Sequence, residues 1–83
     1  MKIKPYKYYK EYYNETDHSG GYNILYTDTK HVYILSYTRR NVPFYKYNHK
    51  VKLVTIKAWQ EYINHYFYKI EEISKEDVFL ELL

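Results

Sequence analysis

From Tyr22 onward the apolar positions follow two rhythms. Tyr22-Asn23-Ile24-Leu25-Tyr26-Thr27 and His31-Val32-Tyr33-Ile34-Leu35-Ser36-Tyr37-Thr38 are β-branched and aromatic runs separated by Asp28-Thr29-Lys30, which predicts a hairpin over 22–27 and 31–38. Phe44-Tyr45-Lys46-Tyr47 and Lys50-Val51-Lys52-Leu53-Val54 flank Asn48-His49, and Pro43 suits the first residue of an edge strand. Two further strands, over about 43–47 and 50–54, complete an antiparallel sheet of three to four strands. The rhythm then changes: Trp59, Tyr62, Ile63, Tyr66, Phe67, Ile70 and Ile73 recur at helical spacing, so one long amphipathic helix is expected over 56–72. Thr55 is its cap, with Val54 and Trp59 as a hydrophobic staple. Ser74 caps a second, short helix over 75–83, with Ile73 and Val78 as its staple. The fold class is α+β, with Trp59, Ile63, Phe67 and Ile70 as the helix's contribution to the core.

The N-terminal segment is ambiguous. Tyr6, Tyr9 and Tyr13 stand at helical spacing behind Pro5, which reads as a helix over 5–14; the rival is a strand, because tyrosine favours sheets. Residues 14–21 gather turn formers and both glycines and read as a loop. Both faces of the predicted second strand are partly apolar, since His31, Tyr33, Leu35 and Tyr37 alternate with Val32, Ile34, Ser36 and Thr38. One helix covers only part of such a sheet, so a tyrosine-bearing face or edge is expected to stay open for a partner or a second copy.

Eighty-three residues leave room for one domain, 1–83, and 22% aromatic content with 14 tyrosines argues against disorder. No cysteine is present, which excludes a disulfide framework and a thiolate nucleophile. His18, His31, His49 and His65 share no metal-ligand spacing, and Ser19, Ser36 and Ser74 sit in no nucleophile-elbow pattern. No cofactor or metal is expected, and no enzyme activity. The absence of a long apolar run, together with the charged start Met1-Lys2-Ile3-Lys4-Pro5, reads as a soluble, cytoplasmic chain without a membrane partner.

Charge sharpens the picture. Residues 1–57 hold eleven Lys and Arg against four acids, a net +7, and residues 58–83 hold two lysines against six acids, a net −4. Arg39-Arg40 is the only use of arginine, and with Tyr33, Tyr37, Tyr45, Lys46, Tyr47, His49, Lys50 and Lys52 it forms the candidate partner-binding set: cations for phosphates or carboxylates, interleaved with rings that stack or anchor an interface. The plainer reading is a solvated hairpin whose lysines guard a sheet edge. Lys, Tyr, Asn and Ile supply 37 of the 83 residues, a bias toward AT-rich codons that points to a low-GC genome and its phages, viruses or other mobile elements.

The Ile24-Leu25-Tyr26 to Val32-Tyr33-Ile34-Leu35 hairpin, followed by basic residues, is similar to the final hairpin of RelE-like ribonuclease toxins. That resemblance implies chemistry by Arg39, Arg40, His49 and a tyrosine. A helical hairpin normally precedes it in that family and does not here, so the chain is not assigned to it. The strand, strand, strand, helix order with basic strands also resembles, in outline, the small sheet domains by which some integrases grip DNA. The leading expectation is a non-enzymatic, stoichiometric binding protein, an inhibitor of a host defence protein or nucleoprotein in the manner of small anti-CRISPR proteins. A nucleic-acid-binding module using the same basic aromatic hairpins is the alternative, and a RelE-like ribonuclease toxin the remote one.

Overall fold

The computed structural model describes residues 1–12, 21–38, 46–66 and 69–82, with backbone alone for 37–38, 46–49 and 66. Five strands, β1 (Tyr8–Tyr12), β2 (Tyr22–Thr27), β3 (His31–Thr38), β4 (Lys46–Thr55) and β5 (Ile70–Ile73), and two helices, α1 (Ile56–Tyr66) and α2 (Lys75–Leu82), follow one another in the order β1-β2-β3-β4-α1-β5-α2. The strands form one antiparallel sheet in the order β4-β3-β2-β1-β5. The hairpin over 22–27 and 31–38 is as expected. Its turn is fixed by Asp28, whose Oδ1 accepts the backbone N–H groups of Lys30 at 2.7 Å and His31 at 2.6 Å, the local capping that aspartate performs in tight turns.

The N-terminal segment is a strand, not a helix. Tyr6 has φ 57°, which interrupts any helix over 5–14. Its N–H donates to the carbonyl of Thr27 (3.0 Å), while the Thr27 N–H donates to that of Lys7 (3.0 Å). Beyond that point Tyr8 to Tyr12 alternate between faces and pair with β2 on one side and β5 on the other, so the segment's backbone polar groups are met on both edges. The helical spacing of Tyr6, Tyr9 and Tyr13 is a by-product of tyrosine density.

The strands expected over 43–47 and 50–54 are one. β4 runs through Asn48 and His49 without turning, and two register shifts opposite β3, between His31 and Tyr33 and between Ile34 and Ser36, absorb its surplus residues as bulges. Positions 43–45 lie outside the described residues.

The long helix is also shorter than expected. α1 leaves β4 at one edge of the sheet, and its eleven residues, about 16 Å long, fall short of the about 19 Å that five strands span at ordinary spacing. The chain then meets the open edge of β1, and Ile70–Ile73 is recruited there as β5, with the Tyr12 N–H donating to the carbonyl of Lys69 (3.0 Å). Thr55 caps α1 and Ser74 caps α2 as the sequence indicates, each accepting a backbone N–H at 3.1 Å, from Ala58 and Asp77.

The core lies between α1 and one sheet face. Ile3, Tyr9, Leu25, Val32, Trp59 and Ile63 are buried there, with Ile34, Ile56 and Ile70 packed against them; each such side chain contributes about 1.5–3 kcal/mol by leaving water. Of the core members expected on the helix, Trp59 and Ile63 are in place; Ile70 packs against the core from β5 and not from the helix, and Phe67 lies outside the described residues. Polar contacts fix the layer. Trp59 Nε1 donates to Glu11 Oε2 (2.8 Å), and Asn23 Nδ2 donates to Glu11 Oε1 (3.0 Å). Buried Thr27 accepts the Lys7 N–H (3.0 Å) and donates to the Lys4 carbonyl (2.7 Å), tying the N-terminal segment to the sheet.

Candidate functional site

Register assigns the opposite face residue by residue. Tyr8 is paired with Tyr26 and Ile73, Tyr26 with Tyr33, and Tyr33 with Lys52, so Ile73, Tyr8, Tyr26, Tyr33 and Lys52 form one row across all five strands. The next row is Glu71, Lys10, Ile24, Ser36 and Asn48, and beyond it stand Tyr12 and Tyr22. Directly opposed residues share a face, and this face points away from α1.

α2 covers the middle row. Glu81 accepts hydrogen bonds from Lys10 Nζ (3.1 Å) and from the Tyr22 hydroxyl (2.6 Å), and Val78 is buried. Ile24 is wholly buried. Lys10 lies 4.1 Å from the Tyr22 ring centre and 5.6 Å from that of Tyr12, and Lys69 stands over Tyr12 at 4.6 Å. Burial acts against the Lys10 charge, but the hydrogen bond and the attraction of Glu81 outweigh it and raise its pKa above the ordinary lysine value. The Ser36 hydroxyl is buried and finds no hydrogen-bond partner among the described residues.

The outer row is different. The rings of Tyr8 and Tyr26 lie 4.9 Å apart at 41°, a spacing at which aromatic pairs attract beyond their buried area. Lys50 Nζ stands 4.8 Å over the Tyr33 ring, a cation–π contact. The Tyr33 hydroxyl donates to Asp28 Oδ2 (2.9 Å). That bond, above other causes, raises the Tyr33 pKa over its ordinary value. The backbone donors of His31 and Lys30 are the largest causes that lower the Asp28 pKa to about 2. Tyr8, Tyr26 and Tyr33 are half-buried, while Lys50 and Lys52 are exposed. A row of three phenol rings closed by two ammonium groups can accept a flat or acidic surface. A phenol whose pKa is raised is no base at neutral pH.

Of the residues expected to form the partner surface, Tyr33, Lys50 and Lys52 therefore come together. Tyr37 pairs with Tyr47 in the β3–β4 ladder, Lys46 pairs with Thr38, and His49 is carried by β4. Arg39, Arg40 and Tyr45 lie outside the described residues. Tyr8 and Tyr26 were not singled out. The signal for Tyr8 was the alternation Tyr8-Lys10-Tyr12, which a helical reading of the segment hides. Among the described residues no group of three or more His, Cys, Asp or Glu could hold a metal ion, and no helix is long and apolar enough to cross a membrane. Comparison with protein-family models, curated proteins and solved structures returned no match.

Proposed function

We propose that this chain is a non-enzymatic binding protein that engages a host protein or nucleoprotein through its tyrosine–lysine face, as a stoichiometric inhibitor of the anti-CRISPR kind. Its source on this reading is a phage, virus or other mobile element of a low-GC host, and its place of action is the host cytoplasm. The observation that carries the proposal is the row Tyr8, Tyr26, Tyr33 and Lys52, which lies beyond the α2 contacts at Lys10 and Tyr22 and has Lys50 above its last ring. Tyrosines on a sheet lose little entropy on docking and serve as interface anchors.

Charge favours a protein surface over a bare polyanion. Lysines occupy the β4 side of the sheet and carboxylates, Glu71, Glu76, Asp77 and Glu81, the β5–α2 side. A nucleic acid laid across the whole face would meet like charge at one end, whereas a bipolar protein surface matches both.

The test uses the full chain, immobilised, against lysate of a low-GC bacterium with and without nuclease, alongside Lys50→Glu/Lys52→Glu. Both lysines are exposed, so that variant should melt within about 0.5–1 kcal/mol of the parent. A protein partner that survives nuclease and is lost with the double variant supports the proposal. A partner held equally by both proteins overturns it. Recovery of nucleic acid alone, with log affinity falling linearly against log salt, would move the chain to the nucleic-acid-binding class.

A further inference from the structure

The sheet is open, and its two edges carry opposite charge. From Lys46 to Lys57, spanning β4 and the start of α1, there are four lysines and no acid; from Lys69 to Leu82, spanning β5 and α2, there are five carboxylates against two lysines. β4 is the longest strand, with ten residues, and among the described residues none pairs with its outer side. Its lysines and two bulges blunt it only in part, for Val51, Leu53 and Val54 are 37%, 47% and 44% exposed. At the other edge, a cleft of about 460 Å³ is lined by Lys10, Glu71, Ile73, Asp77, Leu80 and Glu81, and Leu80 is 66% exposed. The β4 edge thus presents apolar surface beside positive charge, and the β5–α2 edge apolar surface beside a net negative charge.

We infer that these edges are made for each other in separate copies, the β4 edge of one chain docking on the β5–α2 edge of the next. They cannot meet within one chain, since three strands separate them, a gap of about 19 Å at ordinary strand spacing. Direction permits the junction. Each neighbour in the sheet is antiparallel, so β4 and β5 run the same way, and a copy translated along the sheet sets its β5 beside β4 with the faces continuous. Register then places Lys52 and Glu71 on the same, α2-bearing face.

The symmetric alternative, β4 against β4, brings Lys50 and Lys52 of two copies together, and directly opposed like charges are unfavourable. Lysines on an edge strand keep it from pairing with its own kind; here they leave it open to an edge of opposite charge. Such a contact is heterologous and does not close on two copies, so it builds chains or rings.

Sedimentation of the full chain from low-micromolar to near-millimolar concentration tests this, at low and high salt. The inference expects an average mass that rises with concentration beyond two copies and falls back in high salt. Lys50→Glu/Lys52→Glu alone and Glu71→Lys/Asp77→Lys alone should each stay monomeric, and an equal mixture of the two should assemble again, because each then presents edges complementary to the other. Glu71→Lys faces Lys10 across the ladder, so if that variant unfolds, Glu71→Gln/Asp77→Asn replaces it and should abolish assembly. A monomer at every concentration, a mass that stops at two copies, or assembly indifferent to these substitutions would each overturn the inference.

Discussion

Replacing Trp59 by phenylalanine isolates the contact that fastens α1 to the sheet. The indole is 5% exposed, stands edge-on to Tyr9 at 5.7 Å, and donates to Glu11 Oε2 at 2.8 Å. Phenylalanine keeps an aromatic ring beside Tyr9 but leaves that oxygen without its donor, while Oε1 retains Asn23. Loss of a hydrogen bond to a charged, partly buried acceptor costs about 1.5–3 kcal/mol, and the smaller ring forfeits about 1 kcal/mol of buried surface. The total, about 2.5–4 kcal/mol, lowers the melting temperature of a domain this size by about 10–30 °C. Far-UV circular dichroism is the readout, because the substitution removes the only tryptophan. Pairing Trp59→Phe with Glu11→Gln in a double-mutant cycle should give a coupling of about 1 kcal/mol or more. A variant melting within a few degrees of the parent, with no coupling to Glu11, would refute the indole–carboxylate link as the fastening of α1.

Ser36→Ala removes a buried hydroxyl that has no partner among the described residues, so it should leave stability unchanged or raise it, by up to about 2 kcal/mol; a clear loss in thermal melting would mean that the hydroxyl is satisfied. Asp28, with its pKa lowered from 3.8 to about 2, binds its proton less readily when folded, so its contribution is present above the ordinary carboxylate range and disappears as pH falls from about 4 to about 2. In Asp28→Asn the acid limb of a stability–pH curve should be shallower over that window. Lys10, Tyr9 and Tyr33 all have raised pKa values. Each holds its proton more tightly in the folded state, so their contributions are complete below their ordinary values of 10.0 to 10.5 and are lost as pH rises through the raised ones. Alkaline titration monitored by circular dichroism should therefore show unfolding that begins above about pH 10, with Lys10→Met flattening its onset.

What the sequence disclosed and what it hid follow from the range of the deciding interactions. The β2–β3 hairpin, the caps at Thr55 and Ser74 and the core positions Trp59 and Ile63 are set by neighbours within a few residues, and they read directly. β5 was hidden because Ile70 and Ile73 fit the helical period behind Trp59 as well as they fit an edge strand. The choice is made by the strand order, which leaves an edge of β1 open to Ile70–Ile73, and that is a long-range fact. β1 was hidden by tyrosine density, which satisfies both periods at once. The tyrosine–lysine face is partly legible: Tyr33, Lys50 and Lys52 stand out by the mix of rings and cations, but Tyr8 and Tyr26 join them only through the β1–β2 register. Neither the cover that α2 gives the middle row nor the separation of charge between the two edges can be seen before strand order is known.

Site-specific photocrosslinking tests the central claim most directly. A benzophenone side chain placed at Tyr26, in the middle of the tyrosine row, and in a second protein at exposed Lys57 on α1, reports which face a partner covers. With nuclease-treated lysate of a low-GC bacterium, the tyrosine–lysine face predicts a discrete protein adduct from position 26 that is absent with Lys50→Glu/Lys52→Glu, and none from position 57. An adduct from position 57 alone, or one from position 26 that persists in the double variant, would contradict it.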